Sequence, residues 1–241
     1  MIINEDVCIK CGSCVPYCPT NAIIINEERS FIDQNECVEC GNCLRAEVCP
    51  TEALVQPELK WPRIIRRELS DPTVRPSTGS GNAGRGTAEV KNNDVTGKFR
   101  RGQVGMGIEV GRPGIGTSLK NVEKIAMALK KVDPEIKFEQ KNPCTHFMSA
   151  QSTGKFKEDI LNEKVLTIIL ELTADSNNLS IILKSLEDVS KEIDTVFSVC
   201  IITRAEEDGS LPNIEVARKS GHDPALSAKV NLGLGRPLIN D

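Results

Sequence analysis

From Gly102 onward the apolar positions of the chain follow two alternating periods. Val104, Met106, Ile108 and Val110 alternate with Gly105, Gly107 and Glu109, the two-residue period of a strand. Leu119, Val122, Ile125, Ala126 and Leu129 then fall on one helical face, and Asp133-Pro134 stops that helix. Ile136 and Phe138 alternate in a second short strand, and after a polar stretch Val165 to Leu172 form a third. Leu179, Ile182, Leu183, Leu186, Val189 and Ile193 mark a second helix capped near Asp175, and Thr195 to Thr203 read as a fourth strand. The order βαββαβ predicts a split βαβ layout, a four-stranded sheet with two helices on one face. Ahead of it the apolar runs are short, Ala22 to Ile25 and Ala53 to Val55, each following a Cys-Pro pair.

Punctuation between these regions sets the expected boundaries. Pro57, Pro62, Pro72 and Pro76 and the glycine-rich run Ser77 to Gly86 oppose regular structure, leaving a helical turn or two at Arg63 to Leu69. The predicted class is α+β. A cysteine-rich module spans 1–57, a basic Gly/Pro-rich arm or linker 58–101, a βαββαβ domain 102–205 and a tail 206–241, the last rich in glycine and proline.

Composition narrows the picture further. Of 241 residues, aromatics are 3% and hydrophobics 39%, so the core must be mainly aliphatic. No apolar run approaches the roughly 18 residues of a membrane span. The opening Met1-Ile-Ile-Asn-Glu-Asp has neither a basic nor an apolar leader region, so a soluble, cytoplasmic protein is expected. A net charge of −4 hides an asymmetry, because residues 1–60 hold ten acids to four bases and residues 61–120 hold eleven bases to five acids. The acidic total, with one Trp and one Tyr for base stacking, speaks against nucleic acid as a partner.

The cysteines carry the chemistry. Cys8, Cys11, Cys14 and Cys18-Pro19 form one run, and Cys37, Cys40, Cys43 and Cys49-Pro50 form a second. Three cysteines at x2 spacing occupy one tight loop, so their thiolates can meet three irons of one cubane, with the fourth ligand drawn from elsewhere. Gly12 and Gly41 let each loop turn without a Cβ clash, and soft thiolates suit iron. A disulfide framework would need an oxidising compartment. Zinc sites have no use for the third cysteine of each triplet or for the closing Cys-Pro.

On these motifs residues 1 to about 57 resemble a bacterial-type ferredoxin with two [4Fe-4S] clusters. The resemblance implies a pseudo-twofold module in which each run's last cysteine serves the other run's cluster. Carried over, Cys8, Cys11, Cys14 and Cys49 would hold one cluster, and Cys37, Cys40, Cys43 and Cys18 the other. The chain departs from the family between Cys43 and Cys49, where five residues replace the usual three, enlarging the loop to the first cluster's fourth ligand. Oxygen sensitivity follows for a protein carrying such clusters.

Other motifs carry less. Gly79-Ser-Gly81-Asn-Ala-Gly84 matches GxGxxG but follows Arg75-Pro76 rather than a strand, so a dinucleotide reading fails on context and a flexible loop is expected. Gly111-Arg-Pro-Gly114-Ile-Gly116 lies between a strand and a helix, where Arg112 and free amides would suit an anion, although a plain βα turn also needs glycine there. Cys144-Thr-His146 supplies too few ligands for a metal, and mid-strand Cys200 is expected in the core. No acid or base is placed by a motif, so no catalytic residue is proposed.

The function expected is electron transfer to or from a partner oxidoreductase with a flavin or metal, as a protein or a subunit. Arg63, Arg66, Arg67, Arg100, Arg101 and Arg112 are the candidate partner or anion contacts, and the C-terminal domain could pair two copies. A rival reading makes the C-terminal unit, similar to ferredoxin-like sandwiches of the ACT type, a ligand-binding regulator whose clusters report redox state. A third is a reductase using Arg112, Cys144 and His146.

Overall fold

A computed structural model describes residues 1–74, 99–111 and 115–224. Their buried apolar side chains fall into two clusters, a small one around Met1, Ala22, Ile23, Ile32 and Leu54, and a large one spanning residues 65–217.

The small cluster is built from two copies of one design. The first copy runs from β1 (Ile2–Ile3) through a cysteine loop to β2 (Ile23–Ile25); the second runs from β3 (Ser30–Ile32) through a loop containing α1 (Asn42–Arg45) to β4 (Leu54–Val55). The pairing crosses between copies. β1 lies antiparallel to β4, with Ile2 opposite Val55, and β2 lies antiparallel to β3, with Ile23 opposite Ile32. Backbone conformation repeats with the sequence. Lys10 (φ 57°) and Glu39 (φ 55°) are both left-handed, as are Asn21 (φ 54°) and Glu52 (φ 53°), and Gly12 and Gly41 follow the second cysteine of each loop at φ 77° and 70°. Non-glycine residues seldom adopt this region, so the same four positions are imposed by the loops they close.

The large cluster centres on a four-stranded antiparallel sheet ordered β12 (Phe197–Ile202), β5 (Gln103–Val110), β11 (Ile168–Asp175) and β7 (Lys137–Phe138). Taken along the chain this is strand order 4-1-3-2, with α3 (Leu119–Val132) and α5 (Leu179–Val189) as the two crossovers. Val104, Met106, Ile108 and Val110 on β5 and Ile168, Leu170, Leu172 and Ala174 on β11 face the apolar stripes of α3 and α5. The stretch expected to be merely polar holds α4 (Pro143–Phe147) and a hairpin of β8 (Met148–Ala150) and β9 (Lys155–Phe156), and at its end β10 (Lys164–Val165) pairs with β6 (Thr117–Ser118), which precedes α3. Past the sheet, α6 (Pro212–Lys219) drops Ala217 into the core.

Several elements differ from the sequence reading. The third strand begins at Ile168 because Val165 is already paired with Thr117 in the β6–β10 ladder. Asp175 caps a short 3-10 turn just ahead of α5, accepting from the Asn177 amide at 2.8 Å. Cys200 is exposed: Phe197, Val199 and Ile201 turn to the core side of an edge strand, so the two-residue period puts Ser198 and Cys200 on the opposite face. The segment expected as a linker contains α2 (Ile64–Ser70), whose Ile65 and Leu69 belong to the large core and which packs against β10.

Candidate metal centre

Because β4 pairs with β1, the Cys49-Pro50 corner that precedes it is carried to the loop of the first copy. A cavity there is lined by Cys8, Cys11, Cys14 and Cys49, with Ile3, Ile9, Ile25, Ala53 and Leu54 supplying apolar walls. By the same crossing, β2 pairing with β3 brings Cys18 to the second loop. Burial pushes the Cys43 thiol up to about 12, and the neighbouring thiols of Cys40, Cys37 and Cys18 push in the same direction. Cys14 also acts on Cys43, so the two sets adjoin.

The four-cysteine cavity fits the demand of a cubane, which needs thiols spaced around a volume. Among the described residues, no three His, Cys, Asp or Glu groups converge tightly enough for one ion. A cubane holds its ligands farther apart than a single ion does, so the two observations agree.

Donors to sulfur repeat with the same symmetry. The Ala22 amide donates to Cys18 Sγ at 3.1 Å and the Ala53 amide to Cys49 Sγ at 3.2 Å, and Thr20 and Thr51 lie beside the same sulfurs at 3.9 and 3.8 Å. Burial pushes Cys49 up, but these bonds outweigh it and hold the thiol below its ordinary value. Hydrogen bonding to Ser13 lowers Cys11, and Ser30 donates to Cys8 Sγ at 3.1 Å. Donors of this kind stabilise thiolate, the form a metal takes.

The two sets differ in exposure. Cys11 is exposed and Cys8, Cys14 and Cys49 are half-buried, whereas Cys37, Cys40 and Cys43 are buried. Burial pushes the Cys37, Cys40 and Cys43 thiols up, as it does Cys14 in the first set, so holding a metal as thiolates would require them to give up protons.

The arginines are not a free basic arm. Arg63 gives Nε and Nη2 to Glu39 Oε1 at 2.9 and 2.6 Å and Nη1 to the Gln34 carbonyl. Arg66 is 6% exposed, and its Nε and Nη1 are engaged by Glu163 and by the Gln34 and Cys37 carbonyls. Arg67 stands 3.7 Å from Asp71. The expected partner contacts Arg63 and Arg66 therefore act as internal braces, because buried carboxylates and loop carbonyls claim their donors first. Arg100 is exposed, and Arg101 lies 3.4 Å from Glu206 on the surface. Arg112 and the Gly79–Gly84 motif lie outside the described residues. Cys144 is wholly buried, with its thiol raised by burial and by Glu171, while His146 is exposed, so the two do not form a pair.

What the sequence reading missed is the buried carboxylate inside the second loop. Glu39 accepts from the Met1 amino group, Arg63 and Gln56. Burial pushes its carboxyl up, yet the ammonium and guanidinium outweigh burial and hold it below the usual range. The recurring Cys-Pro-Thr-x-Ala at 18–22 and 49–53 was the legible signal for the sulfur donors.

Residues 1–24 match the family model for a 4Fe-4S binding domain. That match takes in the first cysteine run and supports an iron–sulfur, ferredoxin-like N-terminus; a domain of this kind indicates 4Fe-4S binding and suggests an electron-transfer role. No curated protein and no solved structure matches the chain. Among the described residues no helix is long and apolar enough to cross a membrane.

Proposed function

We propose that this chain is an electron carrier holding two [4Fe-4S] clusters, one on Cys8, Cys11, Cys14 and Cys49 and the other on Cys37, Cys40, Cys43 and Cys18. It exchanges electrons with a partner oxidoreductase that bears a flavin or a metal. The observation carrying the reading is the crossed pairing of β1 with β4 and β2 with β3, which delivers each Cys-Pro corner to the opposite loop. A bound cubane supplies a reversible one-electron step; the chain supplies its ligands, its insulation and its potential. The Ala22 and Ala53 amides favour the thiolate form at Cys18 and Cys49, while Ile3, Ile25 and Leu54 supply apolar wall on the inner side of the first set.

In this reading residues 1–57 are the electron-carrying module. Residues 102–205, together with α2, form the sandwich on which that module is mounted, and their βαββαβ order is that of the ferredoxin-like class to which ACT-type domains belong. The deciding experiment is the metal content of anaerobically prepared full-length protein, expected at about eight iron and eight sulfide per chain. Half that amount after reconstitution, or zinc in place of iron, overturns the two-cluster assignment.

A further inference from the structure

The two cysteine loops share a backbone and have unlike surroundings. In the first copy, the Lys10 ammonium turns away to the carbonyls of Glu27 and Glu28, at 2.9 and 2.7 Å. In the second copy, the segment entering the loop is gripped by a guanidinium. Arg66 Nη1 donates to the Gln34 carbonyl at 2.8 Å and to the carbonyl of Cys37, itself a candidate ligand, at 2.9 Å. Its Nε donates to Glu163 Oε2 at 2.5 Å, a residue 97 positions along the chain. Arg66 is 6% and Glu163 9% exposed, so neither charge is screened by bulk water. Among the described residues a buried cation therefore sits on one cysteine site only, and the sandwich supplies its counter-ion.

We propose that Arg66 and Glu163 form a positioning pair that holds the Gln34–Cys37 entry turn and, by balancing each other's charge, fixes the reduction potential of the cluster on Cys37, Cys40, Cys43 and Cys18, leaving the other cluster untouched. The inference rests on the two-cluster reading above. Reduction adds one negative charge to a cluster, so a nearby cation favours the reduced form and a nearby anion opposes it. Paired, Arg66 and Glu163 nearly cancel. Removing one member leaves the other uncompensated in a buried setting, and the two removals have opposite signs. The other charges of this region, Arg63 with Glu39 and the Met1 amino group, Arg45 with Asp71, and Lys164 with Glu36, keep their partners in either variant.

The test is an anaerobic potentiometric titration of the full chain, each cluster followed by its electron paramagnetic resonance signal, with iron assayed first. Cys18→Ser and Cys49→Ser label the signals, since each alters the ligand set of a different cluster. Arg66→Gln should lower the potential of the cluster whose signal Cys18→Ser alters, Glu163→Gln should raise that same potential, and the second cluster should hold in both. Arg66→Lys, which keeps the charge and loses the fork, should fall between Arg66→Gln and the native chain. Should Arg66→Gln fail to fold, the rise in Glu163→Gln alone decides. Unmoved potentials, shifts of one sign in both variants, or equal shifts in both clusters overturn the pair's role while the two-cluster reading stands. A native chain with half the expected iron removes that reading, and this inference with it.

Discussion

Glu39 places an anion in the middle of a loop whose cysteines, in the proposed two-cluster reading, must all become thiolates. What makes this tolerable is its compensation: the carboxylate is completely buried, and the Met1 amino group and Arg63 neutralise it from two sides. Breaking a buried pair by removing one partner leaves a stranded charge, and here Glu39→Gln would strand a cation. The expected loss is about 3 kcal/mol of stability, read as a lower denaturant midpoint under anaerobic conditions. The sign with pH follows from the lowered carboxyl. Stability contributed by Glu39 is fully present above its ordinary carboxyl range, near 4.5, and drains away as pH falls through the lower folded value. The native chain should therefore lose more stability than Glu39→Gln between neutral pH and pH of about 3; parallel acid curves for the two proteins would exclude the ion pair as a contributor.

At the level of elements, α2 is the piece that joins the two cores. Its apolar face sends Ile65 and Leu69 into the large cluster, Ser70 Oγ accepts from the Leu166 amide at 2.9 Å, and Arg66 reaches back to the second cysteine loop. Ile65→Ala should cost about 3 kcal/mol through lost burial and the cavity left behind. Thermal unfolding of the full chain checks this, and a shift of under a degree would place α2 outside the core. Gly154 tests the hairpin that packs on α3: at φ 76°, a Cβ there would stand 2.6 Å from the Ala126 carbonyl carbon and oxygen. Gly154→Ala should destabilise by at least about 2 kcal/mol, from the strained backbone and the collision together.

The same elements explain what the sequence could disclose. The sheet strands and crossover helices were readable because Val104 to Val110 and Leu119 to Leu129 keep strict periods over many residues. The cysteine loops were readable because ligand spacing is a covalent constraint on the chain. α2 was reduced to a turn or two because four prolines surround it and its role depends on partners nearly a hundred residues away. The same distance hid the Arg66–Glu163 contact. A local pattern records which face of a segment is apolar; it does not record which carboxylate will be waiting for an arginine.

On the scale of the whole molecule, the two cysteine sets differ in their access to solvent. The set of Cys8, Cys11, Cys14 and Cys49 opens toward solvent, where Ile9 is 63% exposed and Val7 42%. The other set is closed in by Arg45 on the Cys40 carbonyl, Arg66 on the Cys37 carbonyl, and Lys164 of β10 on Glu36. A small oxidant or chelator arriving from water meets the first set before the second, since cluster loss requires access to the sulfurs and burial withholds it. Anaerobic protein treated with limiting ferricyanide and a chelator should therefore release iron in two phases of equal amplitude. The signal surviving the first phase should be the one that Cys18→Ser alters. Release in a single phase, or survival of the signal that Cys49→Ser alters, would mean that the sandwich does not shield the inner site, and that the asymmetry of the two loops is one of charge alone.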